Sequence, residues 1–192
     1  MFIRPAIAED AETLARLINM AGEGIPEYLW QGMAELGQSA MEVGAQRAGR
    51  DEGGFSYTNA WVAVDDGLIT GMLLSYRQDD PYDTGDLAEC PDFIRPLLVL
   101  ESKAPGSWYV NAIAIEPGCR GQGIGTELLG KAEELAIGSG TASMSLIVAA
   151  ENTGAKRLYE LLGYVVNAAL PVEPWPGCEY GGDWLLMVKR LR

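Results

Sequence analysis

A glycine-rich segment, residues 120–126, carries the residue types best suited to chemistry. Glycine alternates with other residues at Gly121, Gly123 and Gly125, so a ligand can approach the backbone closely there. The segment follows an apolar stretch and opens one with helical spacing, which predicts a strand, a tight turn and a helix start. The N–H groups of a helix start and the guanidinium of Arg120 both favour an anion. A pyrophosphate is therefore the ligand that this turn predicts.

Other interpretations of the turn can be compared with the sequence. An isolated Gly-x-Gly-x-Gly also fits an ordinary strand-to-helix turn that binds nothing. A P-loop needs Gly-Lys-Ser/Thr after its glycines, and the sequence has none there. A dinucleotide-binding fold needs an acidic residue at the end of the next strand. Glu151 is the only candidate for that residue, and the glycine spacing differs, so the match is poor.

A second segment, residues 146–164, makes the interpretation more specific. A predicted strand is followed by Asn-x-x-Ala-x-x-Leu-Tyr, from Asn152 to Tyr159, and then by Gly-Tyr at positions 163 and 164. This segment resembles a block of the GNAT superfamily of N-acetyltransferases. The turn at 120–125 is similar to the Arg/Gln-x-x-Gly-x-Gly/Ala signature of the same family. The two blocks lie in the order and at the separation that the family shows, over about a third of the chain.

The resemblance implies a GNAT fold, an α/β architecture whose mixed central sheet is flanked by helices, in a single domain covering residues 1–192. Two neighbouring parallel strands, residues 110–115 and 143–148, would splay apart, and the pantetheine arm of acetyl-CoA would lie in the gap. The implied function is acetyl-CoA-dependent transfer of an acetyl group to a primary amine of a small molecule or peptide by direct attack. The residues implied to bind the cosubstrate are Ile113, Ala114, Ile115, Arg120, Gly121, Gln122, Gly123, Ile124, Gly125, Thr126, Asn152 and Tyr159.

The departing thiolate of this reaction needs a proton donor. Its pKa is close to that of free cysteine, so a nearby phenol can serve as the general acid. The resemblance gives this catalytic role to Tyr159, and a strand N–H near Ile113 would stabilise the oxyanion. Tyr159 also fits a core aromatic on an amphipathic helix, and Asn152 also fits the N-cap of that helix.

The general base stays open. The chain has no histidine, so the base must be a carboxylate, a tyrosine, a lysine, a cysteine or a relayed water. Some family members use a glutamate on the strand before the turn, but here that register falls near Ser107, which cannot act as a base. The neighbouring candidates are Glu101, Tyr109, Asn111 and Glu116, the last expected to be a solvated turn residue, and a water relay is an equal alternative.

The composition favours a cationic acceptor. Asp and Glu number 27 against 14 Lys and Arg, a net charge of −13. Such a surface repels nucleic-acid phosphates and attracts amines, although it also fits simple solubility. A polyamine, an amino sugar or an amino acid derivative is favoured, with a peptide amine as the alternative. Aromatic residues that could line an acceptor pocket are Tyr28, Trp30, Tyr82, Trp108, Tyr109 and Trp175.

The remaining features favour a reduced, cytoplasmic protein. Cys90, Cys119 and Cys178 are odd in number and widely spaced, which predicts neither a disulfide framework nor a metal site. We see no signal peptide, and no apolar run has the length of a membrane span. We therefore expect no metal and no partnership with nucleic acid or membrane, and the sequence leaves a homodimer open.

Two competing functions stay open beside acetyl transfer. A non-catalytic acetyl-CoA sensor or partner-binding module would keep the cofactor groove, and the missing strand carboxylate and histidine favour it. A different phosphate-binding α/β protein, such as a nucleotide binder, would use only the glycine-rich turn.

Periodicity and turn residues predict the elements that position these side chains. A hairpin is expected around Asp65-Asp66-Gly67, Asp10 is the expected N-cap of the first helix, and the helix beginning at Pro26 is expected to be broken or loosely packed at its glycines. Strands are predicted at residues 2–4, 59–64, 68–76, 108–115, 143–148, 164–169 and 183–188. Helices are predicted at residues 9–21, 26–49, 123–137 and 152–162, with one or two turns within 92–101.

Overall fold

The computed structural model describes residues 1–191. Within them, seven strands form a mixed sheet in the order β1-β2-β3-β4-β5-β7-β6, which confirms the predicted α/β class. The strands are β1 Phe2–Pro5, β2 Ala60–Asp65, β3 Leu68–Arg77, β4 Trp108–Ile115, β5 Ser143–Ala149, β6 Val165–Pro171 and β7 Asp183–Arg190. The helices are α1 Ala11–Ala21, α2 Ile25–Gln31, α3 Ala40–Ala48, α4 Arg95–Glu101, α5 Ile124–Gly138 and α6 Thr153–Leu161. No helix within the described residues is both long and apolar enough to cross a membrane.

The described chain divides into two compact units. The first comprises Met1–Tyr76 and Ala112–Lys131, and the second comprises Arg77–Asn111 and residues 132–191. β4 and α5 each contribute residues to both units. The single domain expected from the sequence stays a prediction.

The first unit is built on antiparallel pairing of β1 with β2 and of β2 with β3. The hairpin lies where it is predicted, with φ of 48° at Asp66 and 79° at Gly67. Two left-handed residues in succession are what the favoured two-residue hairpin turn requires. On the core side, α1 presents apolar residues at helical spacing. Residues at the centre of this core include Leu14, Leu17, Ile18, Val62, Met72, Leu74, Ala112 and Ala114.

Asp10 starts α1 in a different way from the one expected. It occupies the N-cap position, but its side chain makes no capping bond to α1. The carboxylate instead accepts hydrogen bonds from Arg4, at 2.7 and 2.9 Å, and from the N–H of Ile7 at 2.9 Å. The bonds from Arg4 hold the pKa of Asp10 below its usual value. An ion pair to β1 therefore replaces the cap.

The second unit contains the first half of β4 and the strands β5, β7 and β6. β4 and β5 form a parallel ladder in which Trp108, Tyr109 and Val110 face Met144, Ser145 and Leu146. β5 pairs with β7 over its whole length, from Ser143 to Ala149, and β7 pairs with β6. Asn111, the next residue of β4 in this unit, lies beyond the parallel ladder.

The helix predicted from Pro26 onwards is two helices, as its glycines suggested. Between α2 and α3 the chain turns at Gly37, whose φ is 86°. A capping box begins α3: Glu42 N–H donates to Ser39 Oγ at 3.2 Å, and Ser39 N–H donates to Glu42 Oε2 at 2.7 Å. Inside α3, Gly44 makes room for Trp30, since a Cβ at Gly44 would lie 2.6 Å from Trp30 Cε3. Trp30, 2% exposed, is therefore a core residue.

Two helical glycines give a matched test of this packing. Alanine at an unhindered helical glycine stabilises by about 0.5–1 kcal/mol. Gly130 in α5 has nothing within 4 Å of its missing Cβ, so Gly130→Ala should raise the melting temperature. Gly44→Ala should lower it, because overpacking against the Trp30 ring costs about 1–3 kcal/mol. Thermal unfolding by circular dichroism measures both, and stabilisation by Gly44→Ala would contradict the packing described.

Candidate functional site

The glycine-rich turn lies in the first unit, between the end of β4 and the start of α5. Gly121 and Gly123 have φ of 75° and 86°, conformations that L side chains rarely adopt. A Cβ at either glycine would meet nothing within 4 Å. The first bond of α5 runs from Glu127 N–H to Gly123 O at 3.1 Å, so the preceding N–H groups have no acceptor within the helix. The turn thus combines open space with backbone donors, as an anion site requires.

Arg120 is folded back onto its own turn. Its Nε donates to the Ile115 carbonyl at 3.2 Å, and its Nη2 lies 3.6 Å from Met20 Sδ. Its partners are thus a carbonyl and a thioether rather than a carboxylate. The side chain ties the turn to the last residue of β4 while staying exposed.

The end of β4 is positioned by a glycine on β3 that the sequence analysis overlooked. A Cβ at Gly71 would lie 2.8 Å from Ile115 Cδ1 and 3.2 Å from both Ala114 O and Ile124 Cγ2. The N–H of Glu116 also donates to Thr70 O at 2.9 Å. The available signal was a glycine inside a predicted strand, which often marks a close approach of another segment.

Residues predicted to bind the cosubstrate are divided between the two units. The whole turn lies in the first unit with Ile113, Ala114 and Ile115, from which residues 116–119 separate it. Ala114 is buried at 6% exposure, whereas Ile113 and Ile115 are half-buried. Asn152 and Tyr159 lie in the second unit, at the start and within the last turns of α6.

On α6 the structural interpretations of both residues are confirmed. Asn152 caps the helix, since its Oδ1 accepts the N–H of Ala155 at 3.2 Å. Tyr159 is 7% exposed, and its ring centroid lies 5.9 Å from that of Tyr164 with the planes tilted by 60°. Tyr164 donates its hydroxyl to Met144 Sδ at 3.7 Å, and burial raises its pKa. The functional roles of Asn152 and Tyr159 stay predictions.

Two of the positions considered for a general base are committed to other contacts. Ser107 is 1% exposed; its hydroxyl donates to the Ala104 carbonyl at 2.7 Å and lies 2.7 Å from Ser145 Oγ. Its exclusion as a base therefore agrees with its burial. Glu116, expected to be a solvated turn residue, instead forms an ion pair with Arg16.

Glu101 is different, because two tyrosines of the second unit converge on it. Tyr109 donates its hydroxyl to Glu101 Oε1 at 2.9 Å, and Tyr82 donates to Oε2. Glu101 is the last residue of α4, where the helix dipole disfavours negative charge. Burial raises the pKa of Glu101, and the two hydroxyl groups oppose this shift only in part. In the sequence these three residues are separate candidates, and no pattern there indicates that their side chains are in contact.

The other aromatic candidates are dispersed. Trp175, in the loop before β7, is 5% exposed. Its ring stacks on that of Trp184 at 6.3 Å and lies tilted against that of Phe93 at 6.1 Å, so it is a packed aromatic residue. Tyr28 is 41% exposed on α2. Among the six aromatic residues considered, Tyr82 and Tyr109 are the pair that the described hydrogen bonds join through one polar group.

Comparison with known proteins identifies the family. Residues 29–164 match the Acetyltransferase (GNAT) family, well over half of the chain. The chain belongs to the GNAT family. An uncharacterised N-acetyltransferase of Methanocaldococcus jannaschii is 35% identical over 82 residues, which are 43% of this chain and 31% of that protein. The chain therefore matches about a third of the length of this relative.

Solved GNAT structures share the fold of this chain. The polyamine N-acetyltransferase of Drosophila melanogaster, which forms N-acetylagmatine, superposes with a TM-score of 0.67 at 16% identity, covering 99% of each chain. The yncA acetyltransferase of Salmonella typhimurium, solved with acetyl-CoA, gives 0.62 at 18% identity and covers 100% of this chain and 94% of its own. Likenesses at these identities establish the fold.

The raised pKa of Glu101 gives a prediction for stability. A carboxyl group whose folded pKa lies above its unfolded value stabilises the fold at low pH, and that contribution is lost as the pH rises through the folded pKa. Glu101→Gln should therefore melt at a higher temperature than the wild type at pH 8. The difference should shrink as the pH falls below the ordinary glutamate value of 4.5.

The measurement is the melting temperature of both proteins between pH 4 and pH 8. This range is chosen because the pKa of Glu101 is raised above its ordinary value. Glu133→Gln is the matched control, because Glu133 is also partly exposed and hydrogen-bonded, to Lys189 at 2.6 Å. It should show no such gain. A Glu101→Gln protein that is less stable than the wild type at pH 8 would show that the charged form is stabilised by the fold.

Proposed function

We propose that this GNAT protein transfers the acetyl group of acetyl-CoA to the primary amine of a small cationic molecule. The glycine-rich turn carries the proposal: two left-handed glycines with open space beside them lead into α5, at the position of the family's signature. Membership of an acetyltransferase family supports the same conclusion. Acetyl-CoA supplies the activated thioester, and the residues of the chain bind it, orient it and move protons.

The turn would hold the pyrophosphate of acetyl-CoA. The backbone N–H groups of residues 121–126 point to no acceptor within α5 at its start, and the helix dipole adds positive potential there. Arg120 contributes a fixed positive charge from its position against Ile115 O. The role of Ile113, Ala114 and Ile115 is to offer backbone groups of β4 to the pantetheine arm. The N–H of Ile113 would stabilise the negative charge that develops on the carbonyl oxygen.

Tyr159 would protonate the leaving thiolate. A phenol with a pKa near 10 can donate to a thiolate whose conjugate acid has a pKa near 8.5, because the two values are within about two units. Packing against Tyr164 at 5.9 Å between ring centroids restricts the ring of Tyr159, which favours a defined direction for its hydroxyl. Asn152 fixes the start of the same helix through its bond to Ala155, and its amide nitrogen would contact the cosubstrate.

A small cationic amine is the favoured acceptor. The net charge of −13 attracts cations to the protein surface. The polyamine N-acetyltransferase among the structural neighbours acts on such an amine. A peptide amine is the alternative, and the choice is tested by turnover with defined amines.

Binding of acetyl-CoA is the first test, measured by calorimetric titration with ATP as the control ligand. The wild type should bind acetyl-CoA and not ATP. Gly123→Ala should weaken binding by about tenfold or more, because alanine at φ 86° is strained by about 1–2 kcal/mol and its methyl enters the open space.

Gly53→Ala is the matched control, since Gly53 also has a left-handed φ of 96° and open space but lies outside the turn. It should carry a similar strain and keep the affinity of the wild type. Equal binding of ATP, or a Gly123→Ala protein with full affinity, would favour a nucleotide binder or a purely structural turn.

Tyr159→Phe tests the general acid. The variant should bind acetyl-CoA as the wild type does and release thiol at a rate lower by about 100-fold, the lower range of acid catalysis. Tyr164→Phe is the matched control, since Tyr164 is 2% exposed and bonded to Met144; it should keep turnover. If Tyr159→Phe changes neither binding nor turnover, Tyr159 is a core residue. A wild type that binds acetyl-CoA and acetylates no amine is a sensor.

A further inference from the structure

Glu101 is a half-buried carboxylate held by two neutral donors. Tyr82 and Tyr109 each donate a hydroxyl, one to each carboxylate oxygen. Each oxygen keeps a further lone pair that can accept a hydrogen bond. Carboxylates removed from water are ordinarily paired with a cation. Within the described residues, no lysine or arginine forms an ion pair with Glu101 or contributes to its pKa.

The groups around Glu101 do not supply the missing cation. The loop after β3 contributes Tyr82, and β4 contributes Tyr109. β5, β6 and β7 also pack against α4, and in the described part of the chain none of them adds a charged group that shifts the pKa of Glu101. On α4 itself, Arg95 is bound to Asp92 at 2.8 Å. Within residues 1–191, therefore, no basic group supplies the cation that Glu101 could accept.

A purely structural tie would not require this charge. A glutamine could accept a hydroxyl proton from one tyrosine and donate its amide to the other, at no electrostatic cost. The chain nevertheless has a glutamate at this position, although burial raises its pKa and the C-terminal end of α4 disfavours its negative charge. Perturbed carboxylates of this kind concentrate at functional sites. Ser107, which precedes β4 near the register expected for a base, is buried and bonded elsewhere.

We propose that Glu101 binds the ammonium group of a small cationic acceptor and removes its proton, with Tyr82 and Tyr109 as positioning residues. This inference rests on the proposed acetyl transfer. Of the three ammonium protons, one goes to Glu101 and then to solvent, and the neutral nitrogen forms the C–N bond to the acetyl carbon. The C–S bond then breaks, and its electron pair goes to the sulfur, which takes up one proton. The nitrogen loses its second proton and keeps the third in the amide product.

The experiment compares the full chain as wild type, Glu101→Gln and Glu133→Gln. Acetyl-CoA affinity is measured first, by calorimetry, and should be equal in all three. Thiol release is then followed with agmatine, spermidine, glucosamine and lysinamide as probes. At pH 7 Glu101→Gln should lower kcat/KM for the best probe by about 100-fold or more, and Glu133→Gln should leave it unchanged.

The pH profile separates proton removal from a structural role. The wild type should show a plateau in kcat/KM between the pKa of Glu101 and that of the amine. Glu101→Gln depends on amine that is already neutral, so its kcat/KM should rise about tenfold per pH unit and approach the wild type near pH 10, the usual pKa of an alkylamine. A deficit that is the same at every pH would overturn the proposal.

The tyrosines give a second readout. Their hydrogen bonds favour the charged form of Glu101, so Tyr82→Phe or Tyr109→Phe should move the acid limb of the profile to higher pH. An unmoved limb would overturn their positioning role. A wild type that does not bind acetyl-CoA would refute the proposed function itself. A wild type that binds acetyl-CoA but releases no thiol with any probe would refute both the proposed transfer to a small cationic amine and the role of Glu101, whereas an active wild type with an unaffected Glu101→Gln variant would overturn the role of Glu101 alone.

Discussion

The close approach of β3 to the end of β4 at Gly71 is the constraint on which the glycine-rich turn depends. A side chain there would crowd the tip of Ile115, the carbonyl of Ala114 and the side chain of Ile124, so these groups would have to shift. Arg120 reinforces the arrangement from the other side through Ile115 O. These contacts restrain the backbone on both sides of the turn, so under the proposed function an anion would meet donors that are already ordered.

Electrostatics add a second constraint. Most of the acidic residues that give the chain its net charge of −13 can lie in water, where they increase solubility and attract cations. Glu101 is half-buried and held by two phenols, and burial raises its pKa, so its charged form is disfavoured in the free protein. Under the proposed function the same residue would lower the stability of the free protein and bind the acceptor, a common relation between stability and activity at functional sites.

The helix α6 shows how one residue can serve the fold and the proposed chemistry together. Asn152 begins the helix through its side-chain oxygen, which leaves its amide nitrogen for another partner. Tyr159 packs in the interior beside Tyr164, and that packing limits the directions in which its hydroxyl can point. A structural role therefore does not argue against a catalytic one at either position; variants that keep the packing, such as Tyr159→Phe, are needed to separate them.

The class of fold, most element boundaries, the family and the glycine-rich turn could all be predicted from the sequence. These depend on local signals: the period of apolar residues, the residues that turns and caps require, and motifs within one strand–turn–helix segment. Only the tertiary structure shows that Gly71 supports the turn and that Asp10 binds Arg4 instead of capping α1. It also shows that Trp30 and Trp175 are buried. Finally, it brings Tyr82 and Tyr109 into hydrogen bonds with Glu101. Each of these depends on contacts between segments distant along the chain or on a competition between partners. Neither composition nor spacing records which of two available partners a side chain reaches, because that choice is set by how the elements pack.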